Sequence, residues 1–343
     1  MAYIVLENIE KYYGAHHVLK STNLTVEKGS FVTLLGPSGC GKSTLLRCIA
    51  GLEKVNMGRI YIDNEDVTSK EPKQRNLGMI FQQYNLFPTM NVFNNIAFGL
   101  KMKRTNKKLL HQKVTDAMEM VDLQGKEGSY PSQLSGGEQQ RVALARCIVT
   151  TPKVLLLDEP FSAIDAKLRK ALQIRIKEIH KKLGMTSIFV THDQDEAMNL
   201  SDTIHLMNNG VIEQSGTPVD VYTTPRTVFA ASFMGNYNII SAERFSFYTQ
   251  NESVQQGAVV IRPEIVRMSS IPFSTRDANS YYLEGVITGR LPQGNILRYS
   301  ITMADGFIFL VDVLFQKENL FDVGINTYLK IDHSDLLDYP KDI

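Results

Sequence analysis

Charge of one sign is not in excess in this sequence: 37 Lys and Arg stand against 36 Asp and Glu, a formal net charge of +1. No broad electrostatic attraction draws such a chain to nucleic acid, and no nucleic-acid partner is expected. Cysteine is scarce too. Cys40, Cys48 and Cys147 are the only three; they lack metal-ligand spacing and suit a reducing compartment. Long apolar runs are missing, since stretches such as Val154-Leu155-Leu156-Leu157 fall far short of the ~20 residues a membrane helix needs. The opening Met1-Ala2-Tyr3-Ile4-Val5-Leu6-Glu7 has neither the basic start nor the apolar core of a signal peptide. No low-complexity segment or short-period repeat occurs. The expectation is a cytosolic chain that reaches a membrane only through a partner.

What is present reads as ordinary globular protein, with 43% hydrophobic and 21% charged residues and a length that fits two domains. The first two-thirds alternates short apolar runs with amphipathic stretches, the pattern of an α/β domain. Strands are predicted at Phe31 to Leu35, Val154 to Asp158 and Ser187 to Thr191. Helices are predicted at Lys42 to Ala50 and at Ala166 to Leu183, where Leu168, Leu172, Ile176 and Ile179 recur at helical spacing. A mostly helical stretch, 91–147, reads as an inserted subdomain. After about Asn236 the pattern changes to short β-type runs: Ala258 to Ile261, Leu283 to Thr288, Ile296 to Ile301, Phe307 to Val313 and Thr327 to Ile331. Turn residues separate them, and a small all-β domain of OB type is expected there. The domain division is placed at 1–235 and 236–343.

Gly36-Pro37-Ser38-Gly39-Cys40-Gly41-Lys42-Ser43 fits G-x-x-x-x-G-K-[ST] and falls between a predicted strand and a predicted helix, the context this phosphate-binding loop requires. The glycines let backbone N–H groups curl around phosphate oxygens, and the helix N-terminus adds partial positive charge. Lys42 can reach the β- and γ-phosphates, and Ser43 can ligate magnesium. Thr44 is grouped with the nucleotide-contacting residues. Lys153 to Glu159 supplies the second half: an apolar strand ends in two carboxylates. Asp158 is placed beside Mg2+ and Glu159 on the other side of the strand end, where it can accept a proton from attacking water.

Leu134-Ser135-Gly136-Gly137-Glu138-Gln139-Gln140-Arg141 resembles the ABC-transporter signature L-S-G-G-Q, with Glu138 in place of the last glutamine. Ser135 and two glycines opening a helix offer a hydroxyl, backbone donors and a positive helix end to a second phosphate. The resemblance implies that Ser135, Gly136, Gly137 and Glu138 face the ATP held by another copy of the chain, in a head-to-tail dimer. It extends to Tyr13 as the aromatic stacked on adenine and to Gln82 as the residue touching magnesium and the attacking water. Phe161-Ser162-Ala163-Ile164-Asp165 resembles the D-loop, and His192 the switch residue contacting the γ-phosphate. These elements cover about residues 3 to 235. The implied cofactors are ATP and Mg2+, and the implied activity is ATP hydrolysis coupled to transport.

The last third resembles the accessory β-domain of the sugar, polyamine, sulfate and ferric-iron importer ATPases, through Ile261-Arg262-Pro263-Glu264 and Gly294-Asn295; Ser241 to Gln256 matches nothing identifiable. The implied partners are integral membrane permease subunits and, indirectly, an extracytoplasmic solute-binding protein. The implied location is peripheral, on the cytoplasmic face of the plasma membrane. A groove lined by Gln83, Tyr84, Asn85, Leu86, Phe87, Pro88 and Phe93 is expected to receive the permease. Length and the brief β-domain most resemble ferric-iron import ATPases, with polyamine and phosphonate importers as rivals. A chromosome-maintenance or repair ATPase would insert a coiled coil between phosphate loop and signature, and no sustained heptads occur there. A translation-associated ABC ATPase would carry two cassettes, whereas this sequence has one phosphate loop. A pure binding protein would not need both Glu159 and His192.

Overall fold

In the computed structural model, the described residues are 2–161, 164–250, 257–316 and 320–340. They divide into two compact units, Met1–Val219 and Asp220–Ile343.

The first unit opens with two long strands, β1 (Ala2–Tyr13) and β2 (His16–Glu27), joined by a tight turn. With β4 (Met57–Ile62) and β5 (Glu65–Asp66) they form an antiparallel sheet in the order β2-β1-β4-β5. A second sheet has six strands. Its members are β3 (Phe31–Leu35), β6 (Leu77–Ile80), β7 (Val154–Asp158), β8 (Thr186–Thr191), β9 (Thr203–Asn208) and β10 (Val211–Gly216), in the order β10-β9-β3-β8-β7-β6. Its pairings are parallel except that of β10 with β9. Strands β3, β7 and β8 are buried along their whole length, so they read as unbroken apolar runs rather than alternations.

Side-chain alternation along β7 sorts the core into two layers. Leu155 and Leu157 pack with Leu172 and Ile176 of α5 (Ala166–Leu183), and with the helical stretch formed by α2 (Val92–Met102), α3 (Lys107–Met120) and α4 (Gly136–Ile148). Val154 and Leu156 pack on the other face, with Leu45, Leu46 and Ile49 of α1 (Lys42–Ala50) and with Ile4 and Leu6 of β1. The helix α6 (Gln194–Leu200) follows β8.

The second unit contains two short helices, Pro218–Thr223 (which begins two residues before the division) and Val228–Met234. Ala231 packs with Tyr237, Val260 and Tyr339. A five-stranded antiparallel sheet and a three-stranded one complete this OB-like domain. The predicted β runs all become strands, with Leu283 to Thr288 lengthening to Ser280–Gln293. Within the unassigned Ser241 to Gln256, residues Ala242–Thr249 form a helix whose Phe245 is buried, and Ser241 caps it by accepting from Arg244 N. Residues 251–256 lie outside the described set.

Candidate functional site

Parallel pairing places the carboxyl ends of β6, β7, β8 and β3 side by side, with Ile80 opposite Leu157, Asp158 opposite Val190 and Leu35 opposite Thr191. Open α/β sheets bind ligands beyond this edge. Gln82, Glu159, His192 and the 36–43 loop each follow one of these strand ends, which is why residues as far apart in sequence as 36 and 192 meet.

The loop from Gly36 to Ser43 wraps the start of α1. Gly41 stands at the N-cap with φ 108°, and no side chain caps the helix, so its first N–H groups are turned toward the loop rather than consumed by a capping side chain. Glycine is demanded at Gly36 by crowding: a Cβ there would lie 2.1 Å from the Met207 carbonyl oxygen on β9. Gly39 has open space, but its φ of 81° is left-handed. Lys42 is buried, its ammonium donating at 2.8 Å to the carbonyls of Gly36 and Pro37. Cys40 and Cys48 are buried and Ser38 is exposed. At the far end of α1, Arg75 donates to the Cys48 and Ile49 carbonyls, both at 2.8 Å, capping the helix that carries the loop.

Ser43 Oγ donates to Asp158 Oδ1 over 2.6 Å, and Asp158 is 4% exposed. Arg47 lies 3.8 Å from that carboxylate. A hydroxyl and a buried carboxylate in contact, with a hard oxygen donor set, fit a divalent cation of the magnesium type. One residue further, Glu159 accepts from Gln82 Nε2 at 3.2 Å and lies 3.5 Å from His192 Nδ1. Its backbone has φ 43°, a left-handed conformation rare for a non-glycine residue and recurrent at functional sites. Its N–H still bonds the Val190 carbonyl, at 3.1 Å, which holds the twist.

Behind His192, the loop is braced. Thr191 Oγ1 donates to Glu196 at 2.6 Å, and Arg169 contacts Asp193 at 3.4 Å. Burial raises the Glu196 carboxyl above its usual range. Asp165 caps α5, accepting from Leu168 N at 3.0 Å. Ser162 and Ala163 of the same D-loop segment lie outside the described residues.

Tyr13 ends β1, half exposed, with Lys11 Nζ 4.7 Å from its ring centre. Burial and the neighbouring Glu53 push its phenol upward, while Thr44 on α1 pulls the other way.

Ser135 caps α4 in a closed box. Its Oγ accepts from Glu138 N at 3.3 Å, and Glu138 accepts from Ser135 N at 2.8 Å. Those hydrogen bonds from Ser135, with Lys126 at 3.1 Å, hold the Glu138 carboxyl down to about 2. Glu138 thereby does locally what the signature glutamine does in the same position of the box, since either side chain can accept the N-cap N–H. Gly136 is exposed. Gly137 is glycine for packing: a Cβ would meet Leu168 Cδ2 of α5 at 2.3 Å.

The expected permease groove is corrected at one position. Tyr84 is 6% exposed and belongs to the core, its hydroxyl donating to the Pro160 carbonyl at 3.4 Å, so it cannot line a surface. Gln83, Asn85 and Pro88 are exposed, while Leu86, Phe87 and Phe93 are half-buried. Two residues that sequence reading passed over organise this loop. Fully buried Asn95 accepts from Phe87 N at 2.9 Å and donates to the Phe87, Met90 and Asn91 carbonyls. Arg146 donates to the Tyr84 and Asn85 carbonyls. The available signal for Asn95 was a polar residue on the apolar face of α2; for Arg146 there was none.

A phosphate-binding loop, a hydroxyl–carboxylate pair and a glutamate flanked by glutamine and histidine at one sheet edge define a P-loop nucleotide-hydrolysing domain. The profile of the ABC transporter family matches residues 19–162. A spermidine/putrescine import ATP-binding protein of Acetivibrio thermocellus is 42% identical, over 97% of this chain and 95% of its own length. A ferric-ion import ATP-binding protein of Escherichia coli O157:H7 is 46% identical, over 78% of this chain and 80% of its own. Among solved structures, a component of a Clostridium perfringens ABC transporter complex superposes with TM-score 0.61 at 29% identity, covering 64% of this chain and 91% of that one. A dimeric ATP-binding cassette in a post-hydrolysis state with ADP and phosphate gives TM-score 0.57 at 31% identity, over 63% of this chain and 98% of that one. The chain belongs to the ABC transporter family, as an importer-type ATP-binding subunit that hydrolyses ATP to drive transport.

Proposed function

We propose that two copies of this chain close head-to-tail around two Mg-ATP molecules, on the cytoplasmic face of a membrane, and power the uptake of a polyamine through separate permease subunits. The contact of Glu159 with both Gln82 and His192, one residue beyond the Ser43–Asp158 pair, supports the catalytic half of this reading. Lys42, the 36–43 loop and Thr44 bind the phosphates, and Tyr13 meets the adenine. Ser43, Asp158 and Gln82 hold Mg2+, which when bound offsets charge on the phosphate oxygens. Glu159 takes the proton of the attacking water at its carboxylate, His192 steadies the γ-phosphate side, and Asp165 shapes the dimer-facing loop. Ser135 to Glu138 reach the partner's nucleotide. Closure energy from binding, rather than the chemical step, moves the permease.

One observation favours a polyamine over ferric iron as solute. The Acetivibrio thermocellus polyamine-import relative matches over 97% of the chain, and so through the C-terminal domain, whereas the iron relative matches over 78%. The test is ATP-dependent uptake by vesicles carrying the chain with its permease and solute-binding protein. Radiolabelled spermidine should enter and radiolabelled ferric citrate should not; the reverse outcome would return the assignment to iron.

A further inference from the structure

Arg146 lies on the third-last position of α4, 11 residues after Ser135. Its Nη2 donates to the Tyr84 carbonyl and its Nη1 to the Asn85 carbonyl, both at 2.8 Å. The guanidinium carbon also sits 5.5 Å from the Phe87 ring centre. Those two acceptors belong to consecutive non-glycine residues in the left-handed region, Tyr84 at φ 56° and Asn85 at φ 45°, a conformation sterically disfavoured for L-residues and least so for asparagine. Burial lowers the Arg146 guanidinium from its usual range, against an opposing pull from Cys147, and no carboxylate among the described residues contributes. A half-buried cation without an acid partner is expensive unless carbonyls and an aromatic face take up its charge. The planar guanidinium reaches the two carbonyls from two separate nitrogens in a fixed fork, a geometry that the single ammonium nitrogen of a lysine does not reproduce.

The clamped loop is tied to the catalytic edge at two further points. Gln82 Nε2 donates to Glu159 Oε2 at 3.2 Å, and the Tyr84 hydroxyl donates to the carbonyl of Pro160, the next residue. From the side of α2, Asn95 clasps Phe87 by its own N–H and carbonyl, at 2.9 and 3.1 Å. The loop 82–87 therefore spans from the helix capped by Ser135 to the strand end that presents Glu159.

We propose that Arg146 is a positioning residue for hydrolysis: it fastens the 82–87 loop to α4 and so sets Gln82 against Glu159. Contact made at Ser135 and geometry at Glu159 then share one helix as their mechanical link. The proposal rests on the roles given above to Gln82 and Glu159.

The test is steady-state Mg-ATP hydrolysis by the full chain carrying Arg146→Lys, Gln82→Ala, or both. Arg146→Lys should lower kcat roughly tenfold while KM stays put, because the loop is misplaced and the phosphate loop is not. In the Gln82→Ala background the same substitution should cost less than about twofold, since Arg146 acts through Gln82. Equal losses in both backgrounds, a change confined to KM, or no change would overturn the proposal. Should Arg146→Lys fail to fold, Arg146→Gln, which keeps two donors without the charge, carries the same cycle. Wild-type protein that hydrolyses no ATP, measured first, would remove the functional reading itself and this proposal with it.

Discussion

Gln82 and Glu159 lie 77 residues apart in sequence, and the Gln82 amide donates to the Glu159 carboxylate over 3.2 Å. Adjacent parallel strands deliver them: Gln82 sits two residues past the end of β6, and Glu159 one residue past β7. The carboxylate is mostly covered, with 20% of its side chain exposed, and the flanking His192 side chain is half exposed. A base held between a fixed amide and a reachable imidazole needs little rearrangement to accept a proton from water.

Glu159→Gln should therefore keep nucleotide affinity and lose at least ~10²-fold in turnover, because only proton acceptance is removed. The left-handed backbone at Glu159 tolerates the isosteric amide, so folding is preserved. Fluorescent-nucleotide titration beside single-turnover hydrolysis measures the two separately. A nucleotide-bound dimer should accumulate on size-exclusion chromatography, and near-normal turnover would mean that another group takes the proton.

Lys42→Ala and Ser135→Arg should separate the two halves of the shared nucleotide site. Lys42 is buried inside its own loop, so its loss removes most binding by the monomer. Ser135→Arg should leave monomer binding intact and block dimer closure. It also deletes the cap of α4, a stability cost of about 1 kcal/mol, which thermal melting will register. Comparable loss of affinity in both variants would refute a site built from two chains.

Stability should fall between pH 6.5 and about 4 through His205. Burial depresses this imidazole from 6.5 to about 4; Nδ1 meets Ser215 Oγ at 2.6 Å, and buried Nε2 has no hydrogen-bond partner among the described residues. In that window the unfolded chain takes up a proton that the folded chain refuses, so stability rises with pH there and levels off above 6.5. His205→Gln should flatten this part of the profile in urea unfolding followed from pH 4 to 7. An unchanged slope would assign the dependence to another group.

Elements whose causes are local were legible in the order of residues alone. Ala166 to Leu183 was legible as a helix because apolar residues recur on one face, and it ends where Gly184 adopts φ 59°. The strands at Phe31 to Leu35 and Val154 to Asp158 were legible because burial on both faces makes them continuous apolar runs. The phosphate loop and the signature were readable because their chemistry resides in contiguous residues. Features that depend on partners distant in sequence emerge only in the folded chain. The β1–β2 hairpin escaped sequence reading, since its pairing register shifts repeatedly and breaks the alternation that would mark it. Tyr84 looked like surface and is core, because the fold sets its hydroxyl against Pro160. Gly36 and Gly137 owe their identity to Met207 and Leu168, residues 171 and 31 positions away that only the packed chain brings within a Cβ's reach. The strand order that lines up Gln82, Glu159 and His192 arises the same way: burial says a strand is interior, but hydrogen bonding in the assembled sheet selects its neighbours.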